Sequence, residues 1–319
     1  MSEVSDSSAV GASQTFYDKN LIARASLNEV WTKWAQVRNL PANAGETIKF
    51  RRFSRLSAAT TPLSEGVTPS GSALSKTDIT AVPLQYGDYV TVSDYVNFTT
   101  LDPLLTEMSG ILGDQAGETR DVLTRDVIVA GTTVQYASTA TQRSEVSAAM
   151  KLNPAEVREA LMTLQLNKGK MIMEMIDAGS NEGTTPIGKS YVGILGANTL
   201  FDLKSQAGFI PVQNYANKSN LMDGEVGAVD DCRFVRTDNP KVFTAAGASS
   251  ADVHVTMILA KDAYGITSIN GHAIENIIKP LGSGQDPLNQ RATSGWKMTF
   301  IAKRLVEEWM VRIEHGVNG

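Results

Sequence analysis

The chain has 319 residues, of which 42% are hydrophobic, so it can bury a sizeable core in one or two domains. Its 29 basic and 34 acidic residues give a net charge of −5, which excludes a strongly cationic protein that neutralises many nucleic-acid phosphates. One cysteine and three histidines exclude a disulfide framework and a zinc module. Because no apolar run approaches the roughly 18 residues of a membrane span, we expect a protein made in a reducing cytoplasm, without membrane contact.

The first 44 residues contain one amphipathic segment, which we predict to be helical. Between Phe16 and Val37, apolar residues recur at helical spacing with charged residues between them. These apolar residues are Leu21, Ile22, Leu27, Val30, Trp31 and Trp34. The two tryptophans form one heavy apolar face, which leaves two alternatives open: the face packs on the core of its own chain, or it belongs to an arm that docks on a neighbouring subunit.

From Glu46 to Val96 the pattern becomes β-like, with apolar residues on both sides of a polar middle rich in Ser, Thr, Gly and Pro. These few large apolar residues bury too little surface to fix the middle alone, so the sequence predicts a long hairpin with a mobile tip. The first strand carries four cations against one acid, Glu46. The cations are Lys49, Arg51, Arg52 and Arg55. By themselves they are typical of a solvated edge strand that charge protects from aggregation.

The clearest helix is predicted over residues 102–129, where apolar residues keep a 3.6-residue period along a rod of roughly 40 Å. Asp102 is the expected N-cap, Pro103 the first helical residue and Gly131 the terminator. The other face of this helix is acidic, with Asp102, Glu107, Asp114, Glu118, Asp121 and Asp126 against Arg120 and Arg125. Gly113 and Gly117 have the GxxxG spacing that pairs helices in membranes, but this number of carboxylates excludes a membrane helix. The pair instead predicts that another backbone approaches the helix closely.

A second helix is predicted to start at the capping box Asn153-Pro154-Ala155-Glu156 and to run towards Gly169. Beyond it, short β-rich runs are separated by turn residues. These runs are residues 191–195, 232–235, 253–260, 295–302 and 308–313. The last two runs alternate, with one apolar side in each, so the later part of the chain is expected to be rich in strands.

Residues 183–190, GTTPIGKS, match the phosphate-binding P-loop pattern letter for letter. A P-loop requires a strand that enters and a helix that leaves, so that backbone amides converge on the phosphates. Here the exiting segment, Tyr191 to Leu195, is β-branched and typical of a strand, and the entering segment reads as helical or irregular. Nucleotide binding at Lys189 and Ser190 is therefore only a remote alternative.

The residue types that usually carry catalysis form no recognisable constellation. His254, His272 and His315 are far apart in the sequence, and none has a second metal ligand at helical spacing. There is no GxSxG nucleophile elbow, and Cys232 lies in a predicted strand as a structural thiol. We therefore expect no catalytic residue, no metal site, no cofactor and no enzymatic activity.

A monomer recovers the ordering entropy of a long hairpin only by packing the hairpin against another surface. The predicted hairpin therefore favours a subunit of an assembly.

Nine segments carry a resemblance that spans nearly the whole chain. They read FYD (16–18), GETIKFRRF (45–53), ATTPLSEGVTP (59–69), QYGDYVTVSD (85–94), LGDQAG (112–117), TRD (124–126), GEVG (224–227), WKM (296–298) and RIE (312–314). In this order they resemble tailed-phage major capsid proteins, of the branch found in N-four-like podophages. The order of the segments, rather than any single motif, carries the resemblance.

The resemblance implies an α+β fold of the Hong Kong-97 capsid type. Its expected parts are an N-terminal arm (1–44), an extended β-hairpin loop (45–86), a peripheral domain with the spine helix (87–150), a mainly axial domain (151–275) and C-terminal strands that return to the body (276–319). The implied function is self-assembly into pentamers and hexamers of an icosahedral shell around double-stranded DNA. The implied location is the virion, after assembly in the host cytoplasm.

The resemblance also implies the partners: other copies of the chain, a separate scaffolding protein or none, portal and decoration proteins, and packaged DNA through non-specific contact only. An encapsulin-type bacterial nanocompartment shell, which has the same fold, is the nearer alternative. In either shell the contacts between subunits matter most. We expect the basic strand (Lys49, Arg51, Arg52 and Arg55) to lie over the acidic spine of an adjacent subunit (Glu107, Asp114, Glu118 and Asp121), and Trp31 and Trp34 to anchor the arm on a neighbour.

Overall fold

The computed structural model describes residues 21, 29–40, 45–99, 104–173, 188–215, 221–269, 274–281 and 288–317. The helices α1 to α4 are Asp94–Thr99, Leu104–Val129, Pro154–Leu166 and Ala197–Lys204. The strands β1 to β7 are Gln36–Leu40, Ile48–Phe53, Lys76–Ala81, Leu84–Ser93, Val134–Tyr136, Tyr191–Gly196 and Ile210–Pro211. The strands β8 to β15 are Glu225–Val229, Cys232–Thr237, Val242–Phe243, Val253–Leu259, Tyr264–Ile269, Glu275–Lys279, Arg291–Arg304 and Met310–His315.

The first sheet is built around β14. This strand pairs antiparallel with β4 over ten residues, and its opposite edge pairs with β12 and β13. Strand β1 joins β12 in parallel. The alternating side chains of Trp296, Met298 and Phe300 are all buried in one core cluster with Leu112 and Ala116 of α2, so the predicted apolar side of this strand is confirmed.

The second sheet has the order β5-β15-β11-β6-β9-β8-β7, with β10 also paired to β11. Helix α3 packs on it through Val157, Leu161 and Leu164, which share a core cluster with Val311 and Ile313 of β15. The two C-terminal strands therefore belong to different sheets, β14 to the first and β15 to the second. The domain boundaries that we expect at residues 45, 87, 151 and 276 stay predictions.

The two predicted helices are present. Helix α2 runs from Leu104 to Val129, and its expected cap at residues 102 and 103 lies outside the described residues. The predicted close approach at Gly113 is confirmed, because a Cβ there would lie 2.7 Å from the carbonyl oxygen of Leu21. The capping box of α3 is complete: the side chain of Asn153 accepts a 3.0 Å hydrogen bond from the Glu156 amide, and the Asn153 amide donates to Glu156 Oε2 at 3.2 Å.

The amphipathic segment before residue 38 departs from the prediction. Residues 31–34 form turns, and β1 begins at Gln36, so the helix predicted up to Val37 does not extend through this part. The reason is tertiary: β1 pairs in parallel with β12, with Val37 opposite Ile266, and this distant partner overrides the local helical pattern. Residues 1–20 and 22–28, which hold most of the predicted helix, lie outside the described residues.

Candidate inter-subunit surfaces

The hairpin of β2 and β3 is fixed at its root. Its strands pair antiparallel from Ile48 opposite Ala81 to Phe53 opposite Lys76. The root residues Ile48, Phe50 and Ala81 are buried in a core cluster with Leu40 of β1. The Phe50 ring lies against Gly265 of β12, where a Cβ would come within 2.6 Å of the ring. The root of the hairpin is therefore part of the body.

Beyond the root, residues 54–75 have no regular secondary structure and are exposed. The Val67 amide donates a 3.2 Å hydrogen bond to the Ser64 carbonyl, which closes a turn in which Gly66 has a φ of +74°. Four large apolar side chains along this segment are exposed to solvent, with exposed fractions of 50 to 77%. They are Leu56, Leu63, Val67 and Leu74. These four side chains are therefore exposed apolar surface of the hairpin and not part of the core.

Two of the four hairpin cations are engaged within the chain. Arg51 forms a bidentate cross-strand ion pair with Asp78, with Nε to Oδ1 at 2.9 Å and Nη2 to Oδ2 at 3.2 Å. This pair raises the pKa of Arg51 and lowers that of Asp78. The guanidinium of Arg52 lies over the Trp309 ring, 5.6 Å from its centroid. Lys49 and Arg55 are exposed.

Asp121, which we predicted to lie on the acidic surface of the spine helix, is buried in the structure. The Asp121 side chain is completely buried, and its Oδ1 accepts hydrogen bonds from the amides of Val30 at 2.8 Å and Trp31 at 2.7 Å. Asn239 Nδ2 donates to its Oδ2 at 3.3 Å. Burial raises the pKa of this carboxyl, against the opposing effect of its hydrogen bonds. The prediction that Asp121 contacts an adjacent subunit is wrong, because the carboxylate fixes a turn of its own chain.

The remaining predicted acids of the spine form one stripe on α2. Glu107 and Glu118 are exposed and Asp114 is half-buried. Ile111 lies between them with 62% of its surface exposed. Residues three and four apart fall on the same helix face, so Glu107, Ile111, Asp114 and Glu118 line up. We call these four residues the acidic stripe. Asp126 is not part of it, because it pairs with Arg125 and Lys241 of its own chain, each at 3.0 Å.

The two tryptophans of the predicted arm have different environments. Trp31 is 1% exposed and belongs to the main core cluster, where its Nε1 donates to the Asn239 carbonyl at 3.3 Å. The Tyr264 hydroxyl donates to the Trp31 carbonyl. The prediction of an inter-subunit anchor is therefore wrong for Trp31, whose indole packs on its own core. Trp34 is half-buried and packs against the same cluster, and its role as an anchor stays a prediction.

A cavity of 560 Å³ lies between the hairpin and the body. A second cavity of 340 Å³ continues it and shares with it Arg52, Arg55, Lys168 and Trp309. Lys170 and Asp262 line the larger cavity, and Asp262 is the one acid among the described residues that line either cavity. We call the joint space, lined by Arg52, Arg55, Lys168, Lys170 and Trp309, the basic trough. Sequence reasoning missed Lys168 and Lys170, because only the tertiary fold brings the end of α3 next to the hairpin.

The structure brings two of the three histidines together. His254 of β11 and His315 of β15 are cross-strand partners whose ring centroids lie 6.4 Å apart. Burial lowers the pKa of both, that of His315 to about 4. His272 lies outside the described residues. No group of three or more potential metal ligands converges within the ranges that the structure describes.

The other sequence motifs have structural explanations. Cys232 is completely buried, and burial raises its pKa far above the ordinary value, so the prediction of a structural thiol is supported. A strand, β6, leaves the P-loop-like segment directly after Ser190, as predicted; residues 183–187 lie outside the described residues. In the described part of the chain, no helix is both long and apolar enough to cross a membrane.

Comparison with known proteins gives one sequence relative. Over 142 residues, the chain is 32% identical to the "Major capsid protein" of Pseudomonas phage KPP21. This match covers 42% of this chain and 34% of the relative, so the chain spans about a third of that relative's length. No family model matches the chain.

Solved structures match over almost the whole chain. The capsid of Ralstonia phage GP4 superposes with a TM-score of 0.73 at 14% identity, covering 89% of this chain and 87% of that chain. The Cyanophage Pam1 capsid asymmetric unit gives a TM-score of 0.63 at 16% identity, with 93% of each chain covered. The predicted resemblance to tailed-phage capsid proteins is confirmed, and the chain has the α+β fold of the Hong Kong-97 type, with an extended hairpin and a long spine helix.

Proposed function

We propose that the chain is a major capsid protein, which assembles into pentamers and hexamers of an icosahedral shell around double-stranded DNA. The fold similarity to phage capsids and the local sequence match to a phage major capsid protein support this function. The observation that carries it is the hairpin. Its root is buried in the body, whereas its far part leaves Leu63 77% and Val67 65% exposed. Contact with other copies would bury these side chains.

The exposed part of the hairpin is too extended to be explained by the stability of a single subunit. Ordering the backbone costs about 1–2 kcal/mol per residue, and a folded segment recovers this through buried contacts. Residues 54–75 make few such contacts within their own chain, because they are exposed throughout. A shell supplies the missing contacts, since each copy meets several neighbours and the hairpin of each copy packs against one of them.

The predicted contact sets include side chains that lie fully or partly at the surface of the chain. We propose inter-subunit roles for Lys49 and Arg55 of the hairpin, Glu107, Asp114 and Glu118 of the spine, and Trp34. Arg51 and Arg52 would act from side chains that are already engaged, Arg51 with Asp78 and Arg52 with Trp309. Arg52 also lines the basic trough, so a neighbour that enters the trough would reach it.

We propose a purely structural role, without catalytic residues or cofactors, in the virion after assembly in the host cytoplasm. Separate scaffolding, portal and decoration proteins would take part in assembly. The net charge of −5 fits a shell that touches packaged DNA only by non-specific contact, because like charges avoid a tight grip on phosphates.

The test is to express the chain, alone and together with the neighbouring head genes, and to examine the products by electron microscopy and sedimentation. Closed icosahedral shells, empty or filled with DNA, are expected. Shells that hold a protein cargo and no DNA would instead support an encapsulin-type compartment. A chain that stays monomeric with all the head proteins present would contradict the proposal.

A hairpin variant makes the test specific. The Ser54 amide donates to the Ser75 carbonyl at 2.9 Å, so a short turn can replace residues 57–72 without disturbing the root. We expect this variant to fold, with an unchanged circular dichroism spectrum, and to form no shells. Normal shells from it would refute the role of the exposed hairpin.

A further inference from the structure

We infer that a row of arginines and glutamates at the C-terminal end of α2 locks the two sheets of the subunit at a fixed angle. The row contains Arg304 and Glu307 on the side of the first sheet, and Arg312, Glu314 and Arg143 on the side of the second sheet. We call these five residues the helix-end lock. The lock is a property of the single subunit, so the inference goes beyond the proposed function and does not depend on assembly.

The chain crosses between the two sheets in one region of the molecule. Within the described ranges it crosses three times. The crossings are residues 130–133 after α2, residues 260–263 between β11 and β12, and residues 305–309 between β14 and β15. The last two crossings are bonded to each other, because the Leu305 amide donates to the Ala263 carbonyl and the Ala260 amide donates to the Trp309 carbonyl, each at 2.9 Å. A rotation of one sheet against the other therefore has to turn about these segments.

Glu307 ties the crossing after α2 to the crossing after β14. Its Oε2 accepts a 3.3 Å hydrogen bond from the Thr132 amide, and its main-chain carbonyl accepts a 3.1 Å hydrogen bond from the Thr133 hydroxyl. Its Oε1 accepts a hydrogen bond from Arg304 Nε. Gly131 leaves room for this carboxylate, since a Cβ there would lie 3.1 Å from Glu307 Oε2. The three crossings thus form one hydrogen-bonded junction.

The C-terminal end of α2 receives one arginine from each sheet. Arg304, the last residue of β14, donates from Nη1 to the Val127 carbonyl at 2.8 Å. Arg312 of β15 donates from Nη1 to the Val129 carbonyl and, at 3.2 Å, to the Gly131 carbonyl. The last carbonyls of a helix have no donor within the helix and carry partial negative charge, which favours cations. The last turn of α2 contains no basic residue, so two distant strands supply the cations instead.

Two carboxylates hold the arginines in place. Glu314 is completely buried; its Oε1 lies 2.8 Å from Arg312 Nε, and it accepts two 2.7 Å hydrogen bonds from Arg143. Breaking a buried ion pair leaves an uncompensated charge and is costly, whereas an exposed pair contributes little. The end of the lock at Glu314 is therefore the strong end. The pair of Arg304 and Glu307, whose side chains are 28 and 37% exposed, is the weaker end.

The lock resists rotation because its two arginines belong to different sheets. Arg304 moves with the first sheet and Arg312 with the second, yet both hold carbonyls at the same helix end. A rotation that keeps one arginine on its acceptors has to pull the other away from them. Packed junctions have discrete arrangements rather than a continuous range, so the lock is either closed or open. The closed lock makes the two sheets and the end of α2 one rigid body.

Pulsed electron spin resonance between two nitroxide labels tests the lock. Lys297→Cys in β14 and Arg236→Cys in β9 place one exposed label on each sheet, and the native thiol, Cys232, is completely buried. The labelled chain is measured as the soluble subunit or, where it forms shells, diluted with unlabelled chains. With the lock intact, one narrow distribution of distances is expected.

Opening the lock should change this distribution. Arg304→Met with Arg312→Met should broaden it or add a second distance, while the circular dichroism spectrum stays that of the folded chain. The matched control is Arg158→Met, which breaks the 2.6 Å ion pair of Arg158 with Asp230, a pair outside the lock, and should leave the distribution narrow. An unchanged narrow distribution in the double variant, or equal broadening in the control, would overturn the inference.

A milder variant decides the question if the double variant does not fold. Glu307→Gln removes the charge of the weaker end only, and hydrogen exchange then reports on the amides of Thr132, Ala260 and Leu305, which donate across the junction. Faster exchange at these amides, with the strands of both sheets unchanged, supports the lock. Unchanged exchange at them overturns it. Neither result depends on whether the chain forms shells, so the proposed function stands or falls separately.

Discussion

The replacement Asp121→Ala tests how the N-terminal part of the chain is held to the spine helix. The carboxylate accepts hydrogen bonds from two successive amides, those of Val30 and Trp31, and is completely buried. Because these amides belong to a turn rather than to a helix or a sheet, they depend on this side chain for a partner. Alanine removes the acceptor and leaves the buried Trp31 N–H and the half-buried Val30 N–H without it.

The magnitude follows from the cost of unsatisfied donors. A buried donor without a partner costs about 1–3 kcal/mol, and the half-buried Val30 amide costs less than the buried Trp31 amide, so the two together cost up to about 5 kcal/mol. Part of this is offset, because a buried carboxylate is itself costly, as the raised pKa of Asp121 shows. We expect the free energy of unfolding to fall by about 2–4 kcal/mol. Asp121→Asn keeps one oxygen for both amides and should cost less than about 1.5 kcal/mol.

Urea unfolding of the soluble subunit, followed by tryptophan fluorescence, measures these changes. The matched control is Glu118→Ala, an exposed carboxylate on the same helix, for which a change within about 0.5 kcal/mol is expected. Destabilisation should be greatest for Asp121→Ala, smaller for Asp121→Asn and smallest for the control. If Asp121→Ala cost no more than Glu118→Ala, the turn would not depend on the carboxylate and the reasoning would be refuted.

Three further predictions concern the core. Gly113→Ala should lower the thermal midpoint although alanine favours helices by about 1 kcal/mol, since its Cβ would lie 2.7 Å from the Leu21 carbonyl; a raised midpoint would contradict this. Arg233→Met should lower the free energy of unfolding in urea by about 3–5 kcal/mol, because it leaves the buried Glu225 carboxylate without its ion-pair partner. Adding Glu225→Leu should restore part of this loss. No recovery in the double variant would contradict the view that the loss comes from the broken ion pair. The pKa of His315 falls from about 6.5 in the unfolded chain to about 4 in the folded chain, so its contribution to stability is complete above pH 6.5 and is lost as the pH falls towards 4. His315→Asn should therefore show a smaller loss of unfolding free energy between pH 6.5 and pH 4. If the unfolding free energy of the variant fell with pH as steeply as that of the wild type, the assignment would be refuted.

The elements that were predicted correctly have their causes in local sequence. Helix α2 carries a sustained 3.6-residue period, and α3 begins with Asn153 and Glu156 at the spacing that satisfies two orphan amides. The strand after Ser190 follows from its β-branched residues, and the same residues argue against a P-loop, which needs a helix at this point. In each case the residues that determine the element lie within it.

The features that were missed or wrong depend on partners distant in the chain. The turn around Trp31 is held by Asp121 and Tyr264, which lie 90 and 233 residues away. In the same way, β1 exists because it pairs with β12. Helical periodicity placed Asp121 near the acidic face, but no local signal shows that a carboxylate receives two amides from another segment. The trough was missed for the same reason.

The ion pairs within the chain also change how a shell contact must be understood. The sequence prediction pairs all four cations of the hairpin with the acidic spine of a neighbour. In the structure, however, Arg51 forms an ion pair with Asp78 of its own chain, and Asp121 and Asp126 also bind partners within the chain. The charges left for neighbours are therefore few and partly exposed, and exposed pairs contribute only about 0–1 kcal/mol each. Such charges give orientation more than affinity. The stability of a shell would then come from burial of the exposed apolar side chains along the hairpin and at Ile111, which is why deleting the hairpin tip should prevent assembly more completely than reversing any single charge.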